Sequence, residues 1–205
     1  MIKFENIFLE HKDKIILDNF SLNIEKGDKV VFKGPSGIGK TTLLNILMGF
    51  ILPSSGFIYF NNEKINKHNI NLIRKNIAWL PQHTNFEHSV KVIDFILQPF
   101  KFSRNKELSP SILEVQNNLD QLGLDNDILE NNIDKISGGE KQRIGMIICK
   151  LLKRDLILLD EPTSALDKTS RDRAIEYFLR DDKVTIISTS HEDDWVNNCS
   201  KIINM

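Results

Sequence analysis

The chain has 205 residues, 27 of them basic and 28 acidic, for a net charge of −1 at pH 7. That length buries a full core in one domain, or a core with one subdomain, without disulfide or metal staples. The balanced charge gives no reason to expect a nucleic-acid partner, and no apolar run approaches the roughly 18 residues that span a bilayer.

The N-terminal Met1-Ile2-Lys3-Phe4-Glu5-Asn6 alternates like a strand and lacks the apolar segment of a signal peptide. Strand-like runs cover residues 2–9 and 15–24, and Glu25-Lys26-Gly27-Asp28 is a turn into the buried strand Lys29-Val30-Val31-Phe32. Gly34-Pro35-Ser36-Gly37-Ile38-Gly39-Lys40-Thr41 then fits the phosphate-binding pattern G-x-x-x-x-G-K-[ST] without a mismatch. The apolar run Thr42-Leu43-Leu44-Asn45-Ile46-Leu47-Met48 reads as the helix leaving it. Such a loop turns backbone N–H groups onto a polyphosphate, and the helix start adds four unpaired N–H groups and a positive dipole end. Lys40 would reach the β- and γ-phosphates and the Thr41 hydroxyl would ligate Mg²⁺. A chance glycine turn before a helix is the plain alternative, and the strand–loop–helix context argues against it.

Pro53-Ser54-Ser55-Gly56 is a second turn, followed by the strand Phe57-Ile58-Tyr59-Phe60 and a turn at Asn61-Asn62-Glu63. Ile77-Ala78-Trp79-Leu80 is a buried strand stopped by Pro81. After Gln82 the chain turns mainly helical, over about residues 90–133. Its best helix carries apolar residues at Ile112, Val115 and Leu119 and is ended by Gly123. Ser137-Gly138-Gly139-Glu140 opens a further helix reaching about Leu152. Ser137 and Glu140 form a capping box, which leaves the glycine pair unexplained; a bare helix start is also a second anion site.

Residues 156–159 and 184–188 are continuous apolar runs, as in parallel strands covered on both faces, so an α/β core is expected. The first ends in Asp160-Glu161. Asp160 is placed to hold Mg²⁺, and Glu161 to orient and deprotonate a water. Solvated acids at a strand end are common, and the pair gains meaning only beside the phosphate loop. Cys149 and Cys199 lie far apart, outside metal-ligand spacing, and are expected to be free thiols in a reducing cytosol.

Together these motifs resemble the ATP-binding subunit of ABC transporters, over essentially the whole chain and in that family's order. The resemblance implies an α/β phosphate-loop NTPase with a RecA-like parallel-sheet core over residues 1–82 and 155–205. It adds an N-terminal antiparallel β subdomain and a helical subdomain over about 83–154. Residues Gly34, Pro35, Ser36, Gly37, Ile38, Gly39, Lys40, Thr41 and Thr42 would bind ATP, and Thr41, Gln82 and Asp160 would hold Mg²⁺. Glu161, His191 and Gln82 would serve hydrolysis, with Gln82 matching the Q-loop glutamine and His191 the switch histidine. Ser164-Ala165-Leu166-Asp167 matches the D-loop. Residues 137–142 match the signature, of which Ser137, Gly138, Gly139 and Glu140 would meet the ATP of a partner subunit in the family's head-to-tail dimer.

The partners implied are a second ATP-binding subunit, with a homodimer the simpler form, and an integral membrane permease docked near residues 86–102. The location implied is the cytoplasmic face of the membrane. Departures from the family fall at several places, among them Ile148, where an Arg is often found, and Asp155, where a Pro is common. His11 stands where an aromatic residue usually stacks on adenine, and imidazole offers a smaller face. The short stretch after His191 leads to the expectation of a subunit of the kind that does not carry the regulatory domain of some importer subunits. A non-transport ATPase of the same superfamily, acting on a soluble partner, is the other reading; a small-molecule kinase is opposed by the signature and the switch histidine.

Overall fold

The computed structural model describes residues 1–12, 14–82 and 89–205. Two sheets organise them. The first is antiparallel, in the order β2-β1-β4-β5, built from β1 (Ile2–His11), β2 (Lys14–Ile24), β4 (Ser55–Phe60) and β5 (Glu63–Lys64). The second is parallel, in the order β6-β7-β8-β3-β9. Its strands are β6 (Ile77–Leu80), β7 (Leu156–Asp160), β8 (Thr185–Thr189), β3 (Lys29–Lys33) and β9 (Lys201–Asn204).

Strand alternation divides the core in two. Ile157 and Leu159 face one side with Val31 and Ile186, against α5 (Gly138–Leu151), α6 (Lys168–Leu179) and the helical segment. Leu156 and Leu158 face the other with Val30, Phe32 and Ile187, against α1 (Lys40–Leu47) and the antiparallel sheet. All five residues of β7 and of β8 are buried; residues 156–159 are apolar throughout, whereas β8 buries Thr185, Ser188 and Thr189 beside Ile186 and Ile187.

Local chemistry accounts for the turns. Asn61 and Asn62, with φ of 49° and 67°, make the two-residue turn between β4 and β5, where left-handed backbone matches the strand twist. The turn expected at residues 53–56 is shorter, because β4 already begins at Ser55, which pairs with Phe8. Gly56 has φ of +90°, and a Cβ there would meet Asn6 O at 2.3 Å, beside an irregularity in the β1–β4 ladder.

The helical stretch holds α3 (Val92–Leu97), three 3₁₀ turns and α4 (Ile112–Gln121), which is capped by Ser111 and followed by Gly123 at φ +66°. The first part of segment 86–102 lies outside the described residues; of the rest, Val92, Ile96 and Phe100 are core and Phe102 is exposed. Strand β9 is not evident in the sequence: it is a four-residue run that pairs with the edge of β3. Two further helices, α2 (Ile70–Arg74) and α7 (Asp193–Val196), are one turn each.

Candidate active site

The C-terminal ends of β3, β7 and β8 meet at one edge of the parallel sheet, where ligands of such folds bind. The loop after β3 leads directly into α1. Gly37 and Gly39 take φ of +81° and +112°, and a Cβ on Gly39 would stand 2.7 Å from Ile16 Cγ2, so side chains are excluded by conformation and by space. No side chain caps α1, which leaves its first-turn N–H groups open to an anion.

Lys40 is buried, and its ammonium donates to Gly34 O at 2.8 Å and Pro35 O at 3.2 Å. It also lies 3.3 Å from Glu161 Oε1. The other Glu161 oxygen, Oε2, is 3.0 Å from His191 Nδ1, whose ring is otherwise half exposed. Thr41 Oγ1 donates to Asp160 Oδ1 at 3.0 Å, and Thr189 Oγ1 donates to the same oxygen at 2.6 Å. Asp160 is buried, and no basic side chain pairs with it among the described residues. Gln82 is exposed and lines, with Ser36, Thr42 and Glu161, a cavity of about 200 Å³ over the phosphate loop.

The donors suit a divalent cation in part. Thr41, Asp160 and Gln82 offer hard oxygens, as Mg²⁺ prefers, but no group of three or more His, Cys, Asp or Glu among the described residues forms a metal cage. A cation here would therefore take its further ligands from phosphate and water. The thiols take no part: burial pushes Cys149 and Cys199 up to about 12.

Two groups of expected residues lie apart from the cavity. His11 is exposed at the end of β1 and is not among the described residues lining it; Ile16 of β2 is. Ser137, Gly138, Gly139 and Glu140 sit at the start of α5, also outside it. There Ser137 Oγ accepts from Glu140 N at 3.2 Å and Glu140 Oε2 accepts from Ser137 N at 2.7 Å, the reciprocal capping box. Thr189 and Ile16 carry no mark in the sequence, and Gln142 is marked only as the end of the signature match, not as a partner of Glu161, because these contacts come from neighbours in the folded sheet.

A glycine loop at the head of a parallel sheet, with a buried lysine and two facing acids, defines a phosphate-loop nucleotide-binding protein. The chain belongs to the ABC transporter family, whose model matches residues 17–164. It is 30% identical over 208 residues to the probable iron export ATP-binding protein FetA of Escherichia coli (strain K12), covering 100% of this chain and 91% of that one. It is 32% identical to the thiamine import ATP-binding protein ThiQ of Aliivibrio fischeri, covering 93% and 80%. It spans about half the length of the spermidine/putrescine import ATP-binding protein PotA of Mesoplasma florum, at 33% identity over 95% of this chain and 55% of the relative. Among solved structures, the dimeric ATP-binding cassette MJ0796 in a post-hydrolysis state with ADP and Pi superposes with a TM-score of 0.84 at 25% identity, covering 100% of this chain and 94% of that one. The chain is thus an ATP-binding, ATP-hydrolysing subunit of the kind that works with a separate membrane permease. No described helix is long and apolar enough to cross a membrane.

Proposed function

We propose that two copies of this chain close head to tail on two ATP molecules at the cytoplasmic face of a membrane, and that hydrolysis drives the permease they dock on. The observation that carries this reading is the separation of two glycine-bearing helix starts. One opens α1 and lines the cavity; the other opens α5 and does not. Two anion sites that do not share a cavity make sense if the second serves the partner's nucleotide. The dimeric form of MJ0796 supports it.

In this reading the loop 34–42 holds the phosphates and Lys40 pairs with their charge. Thr41, Asp160 and Gln82 hold Mg²⁺, which when bound neutralises charge on the phosphates. Glu161 is the general base, and its carboxylate accepts the proton of the attacking water. Without nucleotide its Oε1 faces Lys40 at 3.3 Å. A triphosphate offers Lys40 a stronger anion, so substrate binding itself frees the base. His191, 3.0 Å from Oε2, orients the carboxylate and reaches toward the terminal phosphate. Ser137, Gly138, Gly139 and Glu140 meet the terminal phosphate bound by the other subunit.

Replacing Glu161 by Gln tests both chemistry and assembly. General-base catalysis contributes about 10²- to 10⁴-fold, and a loss of that order in kcat is expected. Size-exclusion chromatography with light scattering should show an ATP-dependent dimer. A variant that stays monomeric at saturating Mg-ATP, or keeps the parent's rate, rejects the reading.

A further inference from the structure

Glu161 has a left-handed backbone, with φ of +49°. A non-glycine residue holds that conformation only where its neighbours over-determine it. On one side its N–H donates to Thr189 O at 3.1 Å and to Thr189 Oγ1 at 2.9 Å. On the other, its carbonyl accepts from Ser164 Oγ at 3.1 Å and from Gln142 Nε2 at 2.9 Å.

Gln142 is 7% exposed, and both ends of its amide are used: Oε1 accepts from Ala165 N at 3.2 Å. A carbonyl at one end and an N–H at the other admit one amide orientation; reversed, the NH₂ would face an N–H. The side chain therefore closes the segment 161–165 as a bracket. It projects from α5, five residues into the helix that Ser137 opens. A Cβ on Gly139 would stand 2.9 Å from Ala165 O, so the start of α5 lies almost backbone to backbone on the same segment.

We infer that Gln142 is a positioning residue for hydrolysis: it sets Glu161 by holding that residue's carbonyl, and it ties Glu161 to the start of α5. The inference rests on the reading of Glu161 as the base. It deepens the proposed cycle, because the start of α5 is the surface assigned to the partner's nucleotide. A shift of α5 on engaging that nucleotide reaches the base of the same chain through one buried amide, which couples the two ATP sites.

Two substitutions in the full chain test this, with thermal melts run in parallel. Gln142→Met keeps the length and loses both hydrogen bonds. It should lower kcat about 10- to 100-fold, the scale of a misplaced reacting group. KM and ATP affinity should stay within about twofold, as expected when only the transition state is affected. Gln142→Glu still accepts from Ala165 N but donates to Glu161 O only when protonated. Burial raises the pKa of such a carboxyl, so its kcat relative to the parent should climb as pH falls from about 8 to about 6. A merely structural role would not produce that slope.

Unchanged kcat in Gln142→Met, a raised KM at constant kcat, or a flat pH ratio for Gln142→Glu overturns the proposal. If the methionine variant does not fold, the pH ratio alone decides. Glu161→Gln run alongside separates the two readings. If it hydrolyses like the parent, the base assignment falls; if it is inactive while Gln142→Met keeps full kcat, only the role of Gln142 falls.

Discussion

Thr41 Oγ1 donates to Asp160 Oδ1 at 3.0 Å, across 119 residues of sequence. The same oxygen accepts from Thr189 Oγ1, on the residue directly across from Asp160 in the β7–β8 register. Helix α1 and strand β8 thus each deliver one hydroxyl to a single carboxylate at the end of β7. A buried carboxylate with hydroxyl donors and no cation is costly unless its remaining lone pairs find a partner. A divalent cation held by Asp160 would supply one.

Lys40→Ala should remove most ATP binding. The ammonium is held by two loop carbonyls and Glu161, so it is already desolvated and aimed at the loop. Hydrogen bonds to charged groups contribute about 1.5–3 kcal/mol, or roughly 10- to 150-fold in affinity. Equilibrium binding of a fluorescent ATP analogue checks this; unchanged affinity would remove Lys40 from the phosphate site.

Ser137→Arg should leave nucleotide binding by the monomer within about twofold while abolishing hydrolysis, because its defect is uniform neither in site nor in state. Mixing it with Lys40→Ala gives a sharper result. If the signature acts in trans, a mixed dimer contains one intact composite site, and hydrolysis returns in part. If it acts in cis, no mixture recovers any activity.

Gly56→Ala should destabilise the fold by about 2 kcal/mol or more while sparing the nucleotide site. The residue has φ of +90°, and the added Cβ would meet a backbone oxygen at 2.3 Å; strain and a close approach act together. Urea unfolding would show a lower midpoint at an unchanged slope.

The capping box predicts a pH dependence. Hydrogen bonds from the Ser137 backbone N–H and then its side chain hold the Glu140 carboxyl below the ordinary 4.5 of a glutamate. Its folded value is therefore lower than its unfolded one. The stabilisation is present above the ordinary value and is lost as pH falls through the folded one. Parent and Glu140→Gln should differ in melting temperature at about pH 7 and converge near pH 3. A difference that persists in acid would place the effect elsewhere.

Much of the site could be read from the chain because its key pieces are local. A phosphate loop needs its glycines and lysine in one short run, a capping box spans four residues, and strands buried on both faces are apolar throughout. Those features led directly to Lys40, Thr41, Asp160, Glu161 and the start of α5. His191 is different: a lone histidine after a strand gains meaning only from the other motifs around it, and its 3.0 Å approach to Glu161 is a matter of tertiary structure.

The α/β class, the phosphate loop, the acidic strand end and the family are legible in the order of residues alone, since each is set by short-range pattern and covalent order. The folded chain alone reveals that β7 lies beside β8, that β9 closes on the edge of β3, that Ile16 and not His11 is among the described residues lining the cavity, and that Gln142 holds Glu161. Those relationships depend on which strands become neighbours and in what register. Hydroxyl and amide groups find their partners there through space, at distances along the chain that no local pattern records.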